Sequence, residues 1–483
     1  MNPLLLTDGY KVDHRRQYPD QTSLVYSNWT PRKSRIEGIE EVVFFGLQYF
    51  IKKYIIESFE KDFFQQPKAE VAQKYARRIN NYLGENQVGS QHIEALHDLG
   101  YIPMVFKALP EGSAVPIRIP MFTMYNTRPE FFWLTNYFET LLSAVIWMPC
   151  TSATIARQYR NLLDRYAETT SSAPEFVDWQ AHDFSMRGMA GIEAATLSGA
   201  GHLLSFTGTD TIPAIEFLEQ YYNANSDSEL IGGSVAATEH SVMCMGTNEG
   251  EFETFKRLTT EIYPKGIVSI VSDTWDLWKV LTDYLPRLKE SITSREGKVV
   301  IRPDSGDPVA IICGNINGKT PEEQKGVIEI LWDIFGGTVN DKGFKELIPQ
   351  IGAIYGDSIT VARATEICEQ LKQKGFASTN IVLGIGSYTY QYNTRDTFGF
   401  AMKATYGEVN GNGRAIYKDP VTDDGTKKSA KGLIQIFKDS DGHYQLKDNC
   451  SWEEEAKGEL KEVFRDGVLV LDDSLKEIRS RIK

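Results

Sequence analysis

One imidazole, one guanidinium and a series of carboxylates recur at nearly even spacing through the middle of this 483-residue chain. They are Asp210, His240, Asp273, Arg302 with Asp304, and Asp357, followed by the turn Gly386-Ser387. Asp210 to His240 is 30 residues, His240 to Asp273 is 33, Asp273 to Arg302 is 29 and Asp357 to Gly386 is 29. Each lies just after a short apolar run. Val299-Val300-Ile301, for instance, stops at Arg302 and the polar turn Pro303-Asp304-Ser305-Gly306. A strand that ends in charged residues presents them at its carboxyl end, where α/β folds keep their active sites. His240 stands apart among seven histidines because Glu239 and Ser241 flank it at such an end. Arg187 precedes a Gly- and Ala-rich helix at 190–201 and is a guanidinium that could meet phosphate. Together these residues make a rim of charges.

Elements of one kind must carry that rim. A period of about 30 residues is the size of a strand–helix–strand unit. The runs 203–206, 234–237, 267–271, 299–301, 351–355 and 381–383 read as buried strands. Between them, Thr320-Pro321-Glu322-Glu323 reads as an N-cap, a first-position proline and a capping-box Glu. Val327, Ile328, Leu331, Ile334 and Phe335 then share one face. Ser358 is the expected cap of the next helix, with Gly375 as its terminator. Arg302 to Asp357 is 55 residues, so that unit holds an insertion. Alternating strands and helices predict a parallel sheet, and a closed barrel gathers the strand ends best. A single such Asp is equally well read as a helix cap; a set that includes His and Arg is not. There is no GxGxxG after a strand, no Walker A loop, and no acidic pair followed by a Thr/Gly phosphate loop.

The flanks differ. Residues 42–100 read as mostly helical and 101–127 as β-structure. Phe131–Met148 reads as a buried helix, and a second helix is expected to begin near Thr154. Asn410-Gly411-Asn412-Gly413 and Asp441-Gly442 are hairpin signals. We therefore expect an α+β domain from residues 1–150 together with 391–483, and an α/β barrel at 151–390. The net charge of −13 argues against nucleic-acid or anionic-membrane partners. Five scattered cysteines suit a reducing cytoplasm without disulfides or zinc. Against that acidic background the basic residues Arg15, Arg16, Arg32, Lys33, Arg35, Lys427, Lys428 and Lys431 are notable.

The motifs resemble a known family. His-Asp-Phe-x-x-Arg-Gly at 182–188, Gly-Thr-Asp at 208–210, Ala-Ala-x-Glu-His-Ser at 236–241 and Val-Ser-Asp at 271–273 are similar to those of nicotinamide phosphoribosyltransferases. So are Ile-Arg-Pro-Asp-Ser-Gly at 301–306, Gly-Asp at 356–357, Thr-Arg-Asp at 394–396, Thr-Asp-x-Tyr-Lys at 7–11 and Lys-Asp-Pro at 418–420. The resemblance runs in order along nearly the whole chain. It implies a type II phosphoribosyltransferase fold: an irregular α/β barrel joined to an α+β domain, in a homodimer with active sites at the interface. The implied reaction joins nicotinamide to phosphoribosyl pyrophosphate, in NAD salvage, with Mg2+ carried on the substrate.

The resemblance also implies residue roles. Phe184, and Tyr10 of a second copy, would sandwich the pyridine ring, and Asp210 would accept from its amide. Arg302 would lie beside the base and the phosphates. Asp304, Gly356 and Asp357 would hold the ribose hydroxyls. Arg187, Arg395, Gly386 and Ser387 would bind the 5′-phosphate. Arg32, Lys403, Lys418 and Lys427 of a second copy would surround pyrophosphate or ATP. His240 would be phosphorylated by ATP, with Glu239 and Asp273 orienting or charging it, whereas His182 and His202 read as structural. The loop Gly384-Ile385-Gly386-Ser387 is less glycine-rich than is usual in the family. Two other readings compete: a nicotinate phosphoribosyltransferase, disfavoured by the carboxylate at Asp210, and a non-catalytic binding protein, which has no need of the charged rim.

Overall fold

The computed structural model describes residues 1–356, 358–417 and 430–482. Two compact units emerge: residues 1–154 with 217–224 and 393–483, and residues 155–216 with 225–392.

The second unit carries the charged rim. Its strands are β1 (Ala181–Asp183), β2 (Gly208–Thr209), β3 (Ala236–Ala237), β4 (Lys265–Val271), β5 (Glu296–Arg302), β6 (Ile351–Tyr355) and β7 (Ile381–Ile385). All pair in parallel, in the order β2-β1-β7-β6-β5-β4-β3. A parallel bridge between Gly208 and Gly233 joins the two edges, with Thr209 N–H donating to the Gly233 carbonyl at 3.0 Å. The sheet is thus an irregular barrel. Alternation along each strand sorts its side chains. On β5, Val299 and Ile301 are fully buried, while Lys298, Val300 and Arg302 line an interior cavity. The run 299–301 is therefore apolar without being packed on both faces.

Three local expectations are corrected. Residues 203–206 are not a strand. Leu203 and Phe206 donate to the carbonyls of Gly199 and His202, so this run ends the helix Ile192–His202 instead. Ser358 does not cap the helix Val361–Gln373. It sits at φ 58°, and Thr360 takes the Arg363 N–H at 3.2 Å. The helices expected at 131–148 and from about 154 are largely one, Glu139–Thr170, running through Pro149. Around the proline, Thr151 and Thr154 hydroxyls donate to the carbonyls of Trp147 and Cys150. Among the described residues no single helix is long and apolar enough to cross a membrane; the pair Pro129–Tyr137 and Glu139–Thr170, bent by 43°, meets that test only when joined.

The first unit is α+β and draws strands from both ends of the chain. Its seven-stranded antiparallel sheet runs Asn412–Ala415, Phe400–Val409, Thr22–Pro31, Phe122–Asn126, Met104–Ala108, Lys461–Arg465, Val468–Leu469. Trp29, fully buried, stacks between Phe122 at 6.1 Å and Phe400 at 5.5 Å, tying three of these strands through one aromatic column. Asn410 and Gly411, at φ 54° and 72°, make the two-residue turn that the sequence signals.

Candidate active site

The barrel strands deliver a cavity of about 650 Å³ whose upper end lies at their carboxyl termini. His182, Phe184, Asp210, Ser234 and Arg302 line that end. The backbone there is closely tied. Asp210 N–H donates to the Asp183 carbonyl at 2.9 Å, and Phe184 N–H to that of Ile385 at 2.9 Å. The fully buried Asp183 carboxylate accepts from Ser185 N–H at 2.9 Å and the Thr211 hydroxyl at 2.7 Å.

Asp210 has one oxygen committed and one open. Its Oδ1 lies 2.8 Å from His182 Nε2 and accepts from Ser234 Oγ at 2.7 Å. Oδ2 takes no hydrogen bond from the described residues. Burial alone would raise this carboxyl's pKa, but the His182 and Ser234 hydrogen bonds and the charge of Arg302 hold it below the ordinary carboxylate value. Asp210 is therefore an ionised acceptor facing the cavity. Phe184 keeps an open face, with its ring tilted against His182 at 4.5 Å. His182, read from sequence as structural, thus belongs to the site. Ser234 was missed altogether: a serine before a short strand carries no signal of its own. His202 is structural, buried between the Tyr390 hydroxyl at 2.7 Å and the Gly208 carbonyl at 3.1 Å.

A second cluster joins β3, β4 and β5. Asp273 Oδ2 accepts from Asp304 N–H at 2.8 Å and Ser305 Oγ at 2.6 Å, so the carboxylate after β4 shapes the turn after β5. Its Oδ1 lies 3.3 Å from His240 Nε2. The Asp273 side chain is 5% exposed and that of His240 49%; Asp273 Oδ1 makes no hydrogen bond among the described residues, so a buried carboxylate stands beside one ring nitrogen of an imidazole that faces solvent. Glu239 is tied to the Ser241 hydroxyl. Arg302 Nε is buried without a hydrogen bond, 3.8 Å from Asp304 Oδ1. Gly356 follows the next strand, and a Cβ there would lie 1.7 Å from Asp304 Oδ1. Only glycine leaves room for that carboxylate.

The third grouping is a contact between two turns. A Cβ on Gly188 would lie 2.0 Å from Ser387 Oγ, so the Arg187-Gly188 turn packs directly on Gly386-Ser387. Arg187 is exposed there.

Four further predicted residues lie in the first unit. Tyr10 is 63% exposed. Arg32 Nε approaches the Gly399 carbonyl at 3.4 Å, Lys403 lies on the strand paired with Thr22–Pro31, and Arg395 pairs with Asp396 at 3.1 Å. Asp357, Lys418 and Lys427 lie outside the described residues. Three metal-type side chains, Asp439, Asp441 and His443, meet at a hairpin turn of that unit. Asp439 there accepts the N–H groups of Asp441 and His443, as turn residues do.

Residues 179–468 match the nicotinate phosphoribosyltransferase (NAPRTase) family, and residues 2–96 match the N-terminal domain of nicotinamide phosphoribosyltransferase. A nicotinamide phosphoribosyltransferase of Acinetobacter baylyi is 55% identical over 494 residues, covering 100% of this chain and 97% of its own. One from Mycoplasma pneumoniae is 38% identical over 462 residues, covering 90% and 97%. Nicotinate-nucleotide pyrophosphorylase from Pyrococcus furiosus shares the fold at a TM-score of 0.58 and 13% identity, over 100% of this chain and 95% of that one. Human nicotinic acid phosphoribosyltransferase does so at 0.54 and 14%, over 99% and 92%. With matches along its whole length, the chain belongs to the nicotinate phosphoribosyltransferase family of pentosyltransferases.

Proposed function

We propose that this chain joins nicotinamide to phosphoribosyl pyrophosphate, giving nicotinamide mononucleotide and pyrophosphate in pyridine nucleotide salvage. The observation that carries the choice of base is Asp210, which lines the cavity with Phe184 and keeps Oδ2 without a hydrogen bond from the described residues. An ionised carboxylate accepts from a carboxamide N–H and repels a carboxylate. In the reaction the pyridine nitrogen attacks C1 of the ribose as the C1–O bond to pyrophosphate breaks. The attacking nitrogen carries no proton, so the site has to orient and stabilise charge rather than remove a proton. Phe184 would stack on the ring, and Arg302, with its unpartnered buried Nε, would meet the anionic substrate. Asp304, Gly356 and Asp357 would hold the ribose. Arg187 and the Gly386-Ser387 turn would take the 5′-phosphate, with Arg395.

Magnesium, bound to pyrophosphate, would neutralise the leaving group. Asp304 Oδ1, 3.8 Å from Arg302 Nε, is an oxygen donor of the kind a hard cation takes, whereas both oxygens of Asp273 face other groups. Release of pyrophosphate with nicotinamide or nicotinate as the only acceptor tests the reading. Efficient turnover with nicotinamide alone supports it, and equal turnover with both rejects it.

ATP is proposed as co-substrate through His240. Asp273 Oδ1, 3.3 Å from Nε2, would favour the proton on that nitrogen and so leave Nδ1 as the nucleophile toward solvent. Nδ1 would take the terminal phosphoryl group as the bond to ADP breaks. The added charge would tighten the magnesium-bearing pyrophosphate site. His240→Ala should lose acid-labile phosphate and ATP stimulation while keeping a slower basal reaction. Mass spectrometry at alkaline pH reads the first, and stimulation that survives in the variant sinks the assignment.

A homodimer with shared sites is proposed too. Ile212, Val242 and Met245, close in sequence to Asp210 and His240, are exposed on the barrel unit, as side chains that a second copy covers would be. That copy would bring Tyr10, Arg32, Lys403, Lys418 and Lys427. All five cysteines are free, as suits a cytoplasmic protein.

A further inference from the structure

We propose that Tyr82 is a positioning residue for the base site: it props the turn that carries Tyr10 and so presets that ring for the pyridine bound by a second copy. The inference rests on the role proposed above for Tyr10. The turn itself has little intrinsic stability. Gly9–Asp13 is a 3-10 helix of five residues, with the Lys11 N–H donating to the Asp8 carbonyl at 3.0 Å. So short an element depends on what it packs against. Two anchors tie it to the first turn of the long helix Glu139–Thr170. Thr140 Oγ1 donates to Asp8 Oδ2 at 2.8 Å and accepts the Asp8 N–H at 3.2 Å, and the buried Lys11 pairs with Glu139. These anchors hold the residues before and after Gly9-Tyr10 and leave the backbone between them to be supported from elsewhere.

Tyr82 stands at that gap. It lies in the last turn of the helix Lys68–Leu83, and its ring rests directly on Gly9. A Cβ on Gly9 would lie 2.1 Å from Tyr82 Oη and 2.4 Å from Cε1. Gly9 is not in the left-handed conformation, so its missing side chain makes room for the tyrosine rather than for an unusual backbone. A second tie joins the same two segments: Arg16 Nη2 donates to Gln87 Oε1 at 2.9 Å, just beyond the helix end. The fold asks little else of Tyr82. It is 62% exposed, and its hydroxyl has no hydrogen bond among the described residues.

The ring that Tyr82 serves is left open. Tyr10 meets the His14 ring at 5.2 Å and 62°, and the Lys11 ammonium lies 5.2 Å from its centre, yet the side chain is exposed. Stacking on a pyridine depends on ring geometry. A backbone fixed at Gly9 narrows the orientations that Tyr10 has to give up when it stacks, and that preorganisation appears as affinity for the base. The phosphate-binding residues of the barrel unit gain nothing from it, so the effect should be confined to nicotinamide.

Calorimetric titration of the full-length protein with nicotinamide, and separately with phosphoribosyl pyrophosphate, tests this. Tyr82→Ala should weaken nicotinamide by about 2- to 12-fold, at most the worth of one aromatic pair, and leave phosphoribosyl pyrophosphate affinity unchanged. Tyr82→Phe keeps the ring on Gly9 and should bind both as the native protein does. In a Tyr10→Ala background, Tyr82→Ala should weaken nicotinamide no further, an outcome that a general loosening of the site does not produce. Unchanged nicotinamide affinity in Tyr82→Ala, equal losses for both ligands, or a loss that persists in the Tyr10→Ala background overturns the proposal. If Tyr10→Ala itself binds nicotinamide as the native protein does, the reading of Tyr10 fails instead. Hydrogen exchange of the 7–13 segment then decides the prop by itself: faster exchange in Tyr82→Ala upholds it, and unchanged exchange overturns it.

Discussion

In the proposed reaction Asp210 would separate two substrates that differ only by an amide and an acid, and would do so with one oxygen. His182 and Ser234 occupy Oδ1, which leaves Oδ2 without a hydrogen bond from the described residues on a side chain that lines the cavity. A charged hydrogen bond is worth roughly 1.5–3 kcal/mol, so Asp210→Asn should lower kcat/KM for nicotinamide by about 10- to 150-fold. Steady-state kinetics with both bases would show the loss confined to nicotinamide. Ser234→Ala should shift the same ratio less and leave KM for phosphoribosyl pyrophosphate unchanged. A different residue governs stability. Glu111 in the first unit is fully buried and is pushed from 4.5 up to about 7 by desolvation, despite donors at Gly46, Gln48 and Tyr222. A folded-state value above the unfolded one means that the protonated form stabilises the fold. That stability is present below pH 4.5 and is lost as pH rises through about 7. The span is on the order of 3 kcal/mol. Glu111→Gln should flatten the pH dependence of urea unfolding between pH 4.5 and 8; an unchanged slope would show that Glu111 titrates as it does in the unfolded chain.

At the scale of elements, contact between two turns replaces a glycine-rich loop. The 384–387 loop is comparatively poor in glycine, yet Gly188 on the facing turn supplies the missing space for Ser387. Gly188→Ala should push the turns apart, because a Cβ would overlap Ser387 Oγ. Displacement of this size can lower rates by about 100-fold when it misplaces a substrate. We expect kcat/KM for phosphoribosyl pyrophosphate to fall by about 10- to 100-fold, with nicotinamide affinity, measured by direct titration, kept. Loss of nicotinamide affinity by the same factor would mean that the whole rim had moved. The barrel strands show the same economy: β2 and β3 are two residues each, and the Gly208–Gly233 bridge closes the ring where longer strands do not.

For the whole molecule, the proposed site is divided between copies. Phe184, Asp210 and His240 belong to the barrel unit; Tyr10, Arg32 and Lys403 belong to the other. An Asp210→Ala protein and a Tyr10→Ala protein, each inactive alone, should regain part of the activity when mixed and allowed to exchange subunits. One of the two sites in a mixed dimer would then be complete. No recovery, with exchange shown by differential labelling, rejects sharing.

The sequence by itself determined the period, and with it the parallel sheet. Strand runs such as 267–271 and 351–355 and the helix after Thr320 follow from local patterns that tertiary contacts did not override. Both hairpins were legible because their turns need residues that tolerate positive φ. The candidate residues Asp210, His240, Asp273, Arg302 and Asp304 were legible because strand ends are marked by a switch from apolar to charged. Tertiary structure decided what those marks cannot carry. Residues 203–206 are apolar enough for a strand, but the preceding helix claims their backbone donors. Ser234 and His182 became site residues only when closure of the barrel set them against Asp210, 24 and 28 residues away in sequence. Lys298 reads on paper as an ordinary charge before a buried strand. Only the inward face of β5 and the missing side chain of Gly352 place its ammonium inside a cavity, because which face of a strand looks inward is set by its neighbours and not by its own residues.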